Sequence, residues 1–304
     1  MGKVLITGAT GFIGRWLVSF FLKKGMEVMA QGSCKDTIDK LKFSLERNKN
    51  SECIEFWEQN FLKDKWNFPD FSDISAIIHC AAATKVREGT IESYDKYFTL
   101  NILATKTLAK KALEANTNHF IHLSSGQVFG IPPSFPITDN TPKKPINVYG
   151  WTKLMGEQVV HSLGILGLKY TIVRPFSVYG KGHDNIISII MDKMINGKTI
   201  TIYGDGTSKR AFLHVNDFCK AIDLIMNNIK CFNEEYNLLG SKEYSVNELV
   251  QLISKKLNKV PQIEQKEPLV NELTRNIADL SKMRALGFNP QETLEQFIEK
   301  DLIE

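Results

Sequence analysis

The sequence predicts an α/β fold, a doubly wound parallel sheet joined by a smaller C-terminal lobe. Three observations carry that reading. Short apolar runs alternate with amphipathic helical segments through the first half of the chain, the rhythm of β-α-β units. The first run, Lys3–Thr7, passes straight into a turn marked by Gly8, Gly11 and Gly14 that opens a helix. After Pro175 the rhythm changes, with shorter segments and glycines at Gly180, Gly182, Gly197, Gly204 and Gly206.

Each element follows from its pattern. The first helix offers Ile13, Trp16, Leu17, Phe20 and Phe21 as its apolar face. Glu27–Gln31 reads as the second strand, Ile54–Glu58 as the third and Ala76–Cys80 as the fourth. Residues 92–115 form a long helix with Leu100, Leu103, Ala104, Leu108, Ala112 and Leu113 at helical spacing. Phe120–Ser124 is the fifth strand, and a proline-rich loop follows at 131–145. A helix over 148–163 and a strand at Tyr170–Arg174 come next. Phe212–Met226 reads as a strand and helix returning to the main sheet, Glu235–Leu239 as a last strand and Val246–Leu257 as a helix. Residues 1–175 plus about 212–239 therefore make the main domain, and about 176–211 plus 240–304 the smaller lobe.

Bulk properties narrow the classes. A chain of 304 residues is long enough for a large core. A net charge of +4 is too small to point to nucleic acid, and no apolar run reaches transmembrane length. The five cysteines are odd in number and form no Cys-x-x-Cys, which suits reduced thiols in a cytoplasm. His119 and His122 sit in a strand-like run with no carboxylate cluster, so no metal site is expected.

The glycine turn is where chemistry begins. Glycines let backbone N–H groups approach a pyrophosphate, and the helix N-terminus carries partial positive charge. Glycine alone is weak evidence, because a strand-to-helix turn often needs it sterically. Here strand, turn and helix occur together, which favours a dinucleotide. The second feature is Tyr149 with Lys153 four residues on, placed on one helix face. An ammonium beside a phenol lowers its pKa from about 10 toward the range useful for general acid–base work. Lysine-rich helices produce this spacing by chance, but of the eight tyrosines Tyr149 alone has lysine at that position. Ser124 and Ser125 end the preceding strand, where a hydroxyl could orient a substrate oxygen.

On these motifs the chain resembles the extended short-chain dehydrogenase/reductases, the NAD-dependent epimerase/dehydratase family of nucleotide-sugar enzymes. Thr7-Gly8-Ala9-Thr10-Gly11-Phe12-Ile13-Gly14 matches the cofactor motif, and His79-Cys80-Ala81-Ala82 the segment after the fourth strand. Asn101 matches the family's helix asparagine, Ser124 through Gly130 the catalytic-serine strand and Tyr149-Gly150-Trp151-Thr152-Lys153 the catalytic helix. Arg174 through Gly180, Tyr203 through Gly206 with Arg210 and Phe212–Val215, and Asp279 through Pro290 match later segments in order.

The resemblance implies a Rossmann-type domain with a substrate-binding lobe, and it implies roles. Tyr149 would exchange the proton, Lys153 would lower its pKa and hold the nicotinamide ribose, and Ser125 would bind the reacting oxygen. Gly8, Thr10, Gly11, Phe12, Ile13 and Gly14 would cradle the pyrophosphate, and Asn60 and Phe61 would flank the adenine. Cys80, Ala81, Ala82 and Asn101 would complete the cofactor site. Arg210 would pair with the substrate diphosphate, where a guanidinium suits bidentate contact, with Thr84, Gln127, Ser177 and Asn185 as further substrate residues. The family also implies a homodimer through the helices at 92–115 and 148–163.

Departures sharpen the expectation. Dehydratases carry Asp-Glu after the catalytic Ser/Thr, where this chain has Gly126 and Gln127, which argues against water elimination. GDP-fucose synthases carry a cysteine at the Gly126 position; only the histidine of their second motif has a counterpart, His183. The second strand ends without the usual ribose-binding carboxylate, and Ser33 and Lys35 could meet a 2′-phosphate, so NADP(H) is favoured over NAD(H). The alternative is that Asp36 makes the ribose contact. The leading expectation is reduction of a nucleotide-diphosphate 4-keto-6-deoxysugar. The alternative is a UDP-glucose 4-epimerase-like enzyme using trapped NAD.

Overall fold

The computed structural model describes residues 2–46, 50–268 and 275–300. In chain order the first half holds β1 (Lys3–Thr7), α1 (Phe12–Lys23), β2 (Val28–Gly32), α2 (Lys35–Leu45), β3 (Ile54–Glu58) and β4 (Ile74–His79). Then come α3 (Tyr94–Phe98), a π-helical turn (Thr99–Leu103), α4 (Ala104–Glu114), β5 (His119–Leu123), α5 (Val148–Ile165) and β6 (Tyr170–Pro175). The second half holds β7 (Ser177–Tyr179), α6 (Ile186–Ile195), β8 (Ile200–Tyr203), β9 (Lys209–His214), α7 (Val215–Met226) and β10 (Glu234–Leu238). It ends with β11 (Glu243–Ser245), α8 (Val246–Leu257), β12 (Ile263–Lys266), β13 (Arg275–Asn276), α9 (Ser281–Ala285) and α10 (Leu294–Lys300).

Seven strands form the main sheet in the order β3-β2-β1-β4-β5-β6-β10. The pairs β1–β2, β2–β3, β1–β4, β4–β5 and β5–β6 are all parallel. Strands β1, β2 and β5 are buried at every position, as expected where helices cover both faces of a parallel sheet. The direction of winding reverses between β1 and β4, and ligands of such sheets bind beyond the strand ends at that point. Phe120, Ala104, Leu108, Ala112 and Val160 share a core between β5 and helices α4 and α5. Helix α1 buries Leu17, Val18, Phe21 and Leu22, a face turned slightly from the predicted one, which leaves Ile13, Trp16 and Phe20 half-buried.

The chain divides into two compact units: 1–130, 142–174 and 221–236, and 131–141, 175–220 and 237–304. The second unit has its own core, in which Tyr179, Met191, Phe212, Ile253 and Phe297 meet. Its small sheet runs β11-β9-β13, with β7 also on β9, and β8 pairs with β12. Two expectations change here. Strand β9 belongs to this small sheet, not the main one, because it pairs with β7, β11 and β13. Part of the proline-rich loop also joins the second unit, because Ile137 N–H donates to Ile277 O at 2.9 Å and Asp279 N–H to Ile137 O at 2.7 Å. The boundaries predicted near 175 and 212 shift accordingly.

Candidate active site

The glycine turn is built by close approach. Gly8 has φ +63°, and a Cβ there would lie 2.8 Å from Ala81 Cα. A Cβ on Gly14 would lie 2.1 Å from Gly8 O, so α1 can start against the turn only without a side chain. The cap residue Gly11 makes no side-chain cap bond and the first turn holds no acid, leaving the positive helix end uncompensated by its own side chains. Gln31 braces the turn, accepting from Gly8 N–H at 2.8 Å and donating to Gln59 O at 2.6 Å. This donor set fits a dinucleotide pyrophosphate.

On the far side of the switch point a buried chain of hydrogen bonds fixes the β1 and β4 ends. Thr105 Oγ1 donates to Asn101 O at 2.9 Å, so it accepts from His79 Nε2–H at 2.9 Å. His79 Nδ1 then accepts from Thr7 Oγ1 at 2.7 Å, and Thr7 Oγ1 accepts from Ala81 N–H at 3.3 Å. Burial holds the His79 pKa down to about 3, so the ring is neutral. Burial likewise pushes the Cys80 thiol up to about 12, so it is no nucleophile.

Ser125, Tyr149 and Lys153 come together in the first unit. Ser125 ends β5 with its Oγ accepting from Gln127 N–H at 3.2 Å, and it hydrogen-bonds Tyr149. Asn147 caps α5 by accepting from Gly150 N–H at 2.8 Å and donates to Gln127 Oε1 at 3.1 Å, which sets where Tyr149 begins its helix. Tyr149 is 9 % exposed and packs with Ala83 and Tyr97; Lys153 is 2 % exposed. Burial lowers Lys153 to about 8, with Glu157 and Cys80 opposing. The expectation that Lys153 depresses the tyrosine is corrected in this chain by itself: burial raises the Tyr149 pKa, and only the Ser125 hydrogen bond opposes it.

Behind this group lies a network that sequence reading missed. Glu157, fully buried, accepts from Ser124 Oγ at 2.5 Å, from Arg174 Nε at 2.7 Å and from Arg174 Nη2 at 2.8 Å. Arg174 also pairs with Glu235 and lies over the Phe129 ring at 5.3 Å. The available signal was Glu157 four residues after Lys153, the next step along one helix face.

Other predicted residues fall out differently. Asn101 is fully buried and its amide is committed: Oδ1 accepts from Ala83 N–H at 2.8 Å, and Nδ2 donates to Ala83 O at 3.1 Å and Thr152 Oγ1 at 2.9 Å. It is a brace rather than a cofactor ligand. The Phe61 side chain is buried among Trp57, Trp66 and Phe68 and cannot flank an adenine. Asn60 beside it holds Leu62 N–H at 2.9 Å. Thr10, Phe12, Ile13, Ala81, Ala82 and Gln127 are half-buried near the turn and strand ends, and Ser33, Lys35 and Thr84 are exposed. Asp36 is paired with Lys40 at 2.8 Å. In the second unit Ser177 lies on β7 and Arg210 on β9, both half-buried. Asn185 caps α6, accepting from Ile187 N–H at 2.8 Å and Ser188 N–H at 3.2 Å, so its oxygen is already used. All five cysteines are free. No group of His, Cys, Asp and Glu suited to a metal occurs among the described residues, nor does any helix there long and apolar enough to cross a membrane.

A dinucleotide turn at the switch point and a buried Ser-Tyr-Lys group define a nucleotide-dependent enzyme of the short-chain dehydrogenase/reductase class. Residues 4–238 match the model of the NAD dependent epimerase/dehydratase family, and the chain belongs to that family. Among its relatives, a Methanocaldococcus jannaschii protein provisionally named a UDP-glucose 4-epimerase is 31% identical, covering 98% of this chain and 96% of its own. The UDP-glucose 4-epimerase of Mycolicibacterium smegmatis is 27% identical over 98% and 96% of the two chains. Among solved structures, the UDP-glucuronic acid 4-epimerase of Bacillus cereus, in complex with UDP-glucuronic acid and NAD, superposes with a TM-score of 0.87 at 27% identity over 98% and 96% of the chains.

Proposed function

We propose that this protein is a UDP-sugar 4-epimerase working on retained NAD. The observation that carries this reading is the buried Tyr149 hydroxyl in hydrogen bond to Ser125, with the Lys153 ammonium one helical turn further along α5. The same group could serve a reductase; relatives that are UDP-sugar 4-epimerases, and a structural neighbour that carries NAD, favour epimerisation. They also weigh against the 2′-phosphate role first given to Ser33 and Lys35.

When bound, NAD supplies a reversible hydride acceptor and a positive charge. The chain's residues supply the rest. Gly8, Gly11 and the first turn of α1 bind the pyrophosphate. Ser125 orients the sugar C4 oxygen, and Tyr149 takes its proton as the C4–H hydride leaves. Lys153, with a pKa near 8, is mostly cationic at neutral pH and offsets part of the charge that develops on the phenol. After the 4-keto sugar turns over, Tyr149 returns the proton to the oxygen on the opposite face. Gly126 and Gln127 offer no carboxyl pair for elimination, which supports a reaction that conserves water. A homodimer accompanies this reading, supported by Leu103, Trp151 and Met155, which are 37%, 49% and 40% exposed on the π turn and α5.

The test is mass spectrometry of nucleotides released on denaturation, joined to interconversion assays with UDP-glucose and UDP-glucuronate. Stoichiometric NAD, turnover of one UDP-sugar and a loss of about 10²–10⁴ in rate for Tyr149→Phe are expected. An empty site that prefers NADPH and reduces a 4-keto sugar would replace this reading with the reductase.

A further inference from the structure

His122 is the buried titratable group that the proposed mechanism leaves without a role. It lies on β5, fully buried, and neither ring nitrogen has a hydrogen-bond partner. A phenylalanine there would fill similar space without two unmet hydrogen bonds. Its cross-strand neighbour His79 cannot serve it: the rings lie 5.6 Å apart, but both His79 nitrogens are bound to Thr7 and Thr105.

The other neighbour is α5. A Cβ on Gly156 would lie 3.3 Å from His122 Nε2 and 2.7 Å from Asn101 O, so only glycine lets the helix pass over the imidazole. Lys153 is three residues before Gly156, on the same helix face, and its charge acts on both His79 and His122. The remaining charges facing His122 are Arg174 on β6 and His161 on α5, while Glu157 and Cys80 face Lys153. Burial and this cationic surrounding keep His122 neutral, with one N–H and one acceptor nitrogen.

We propose that His122 is a positioning residue for Lys153: its acceptor nitrogen receives a hydrogen bond from one buried water, which in turn accepts from the Lys153 ammonium. The inference rests on the reading of Tyr149 and Lys153 as the reacting pair. An acceptor reached through water favours the charged lysine. Without it Lys153 loses its proton at lower pH, and Tyr149 loses a positive neighbour.

The test uses the full chain with its bound nucleotide and the variants His122→Phe, His122→Gln and Tyr149→Phe. The Tyr149 phenol is titrated by ultraviolet difference absorbance against Tyr149→Phe, beside kcat and KM as functions of pH. His122→Phe should raise the Tyr149 titration by about one pH unit and lower kcat about tenfold at neutral pH with KM unchanged. His122→Gln, which keeps an acceptor, should recover to within about threefold. A wild-type titration and kcat in folded His122→Phe overturn the proposal. Should that variant fail to melt cooperatively, ¹⁵N-histidine NMR of the native protein decides. A hydrogen-bonded acceptor nitrogen on His122 supports the proposal, and two nitrogens without hydrogen bonds overturn it. Full turnover in Tyr149→Phe would instead refute the epimerase mechanism, and the NMR result would still judge His122.

Discussion

Replacing Arg174 by methionine strands the Glu157 carboxylate. Glu157 has no exposed surface, and the Arg174 side chain is 2% exposed. The substitution removes two hydrogen bonds at 2.7 and 2.8 Å and leaves Glu157 with Ser124 at 2.5 Å and Lys143 at 3.4 Å. Breaking a buried pair from one side costs about 3–5 kcal/mol. Lys143, already within reach, places this case near the lower end, about 3 kcal/mol. At about 2–4 °C per kcal/mol for a domain of roughly 150–250 residues, the first unit should melt about 6–12 °C lower. Differential scanning calorimetry and urea unfolding would measure it. The double variant Glu157→Gln with Arg174→Met holds no stranded charge and should recover most of the loss. A loss below about 1 kcal/mol for Arg174→Met, or a double variant as unstable as the sum of the singles, would refute the reasoning.

Gly14→Ala places a methyl 2.1 Å from Gly8 O, so the turn must open; nucleotide retained through purification should fall at least about tenfold by mass spectrometry. Burial pushes Glu235 up, but hydrogen bonds and charges from His161, Arg174 and Lys143 outweigh it and hold its pKa well below the usual carboxylate range. A depressed folded pKa stabilises above the unfolded value of about 4.3 and is lost as pH falls through the folded one. The melting-temperature gap between wild type and Glu235→Gln should therefore be widest near about pH 7 and close in acid; a constant gap would contradict the assignment. Arg210→Ala should raise the KM for a UDP-sugar about ten- to hundredfold with little change in kcat, and an unchanged KM would remove Arg210 from the substrate site.

Much of the frame was legible because it rests on short-range rules. The order of strands and helices follows from apolar runs that a parallel sheet buries on both faces, and Tyr149 and Lys153 meet because four residues make about one helical turn. What was illegible depends on partners distant in sequence. Phe212–His214 looks the same whether it joins one sheet or the other, and only its pairing with Ser177–Tyr179 decides. Phe61 follows Asn60 at a strand end, yet Trp57, Trp66 and Phe68 draw its ring into the core. The spacing of Tyr149 and Lys153 carried no information about how dry the phenol would be, since Ala83 and Tyr97 set that.

The π-helical turn at Thr99–Leu103 lets one continuous helix answer to two masters. Residues before it steer Tyr97 and Asn101 toward the Ala83 loop, and residues after it steer Leu108 and Ala112 toward Phe120. Each residue of an α-helix turns the next by about 100°. Deleting one residue within the turn would restore regular winding and swing one half of the helix about a quarter of a circle against the other. Either the loop would lose its clasp or the sheet would lose its cover. The turn thus acts as a splice in rotational phase, and lineages of this chain should tolerate substitution there far better than a change of length.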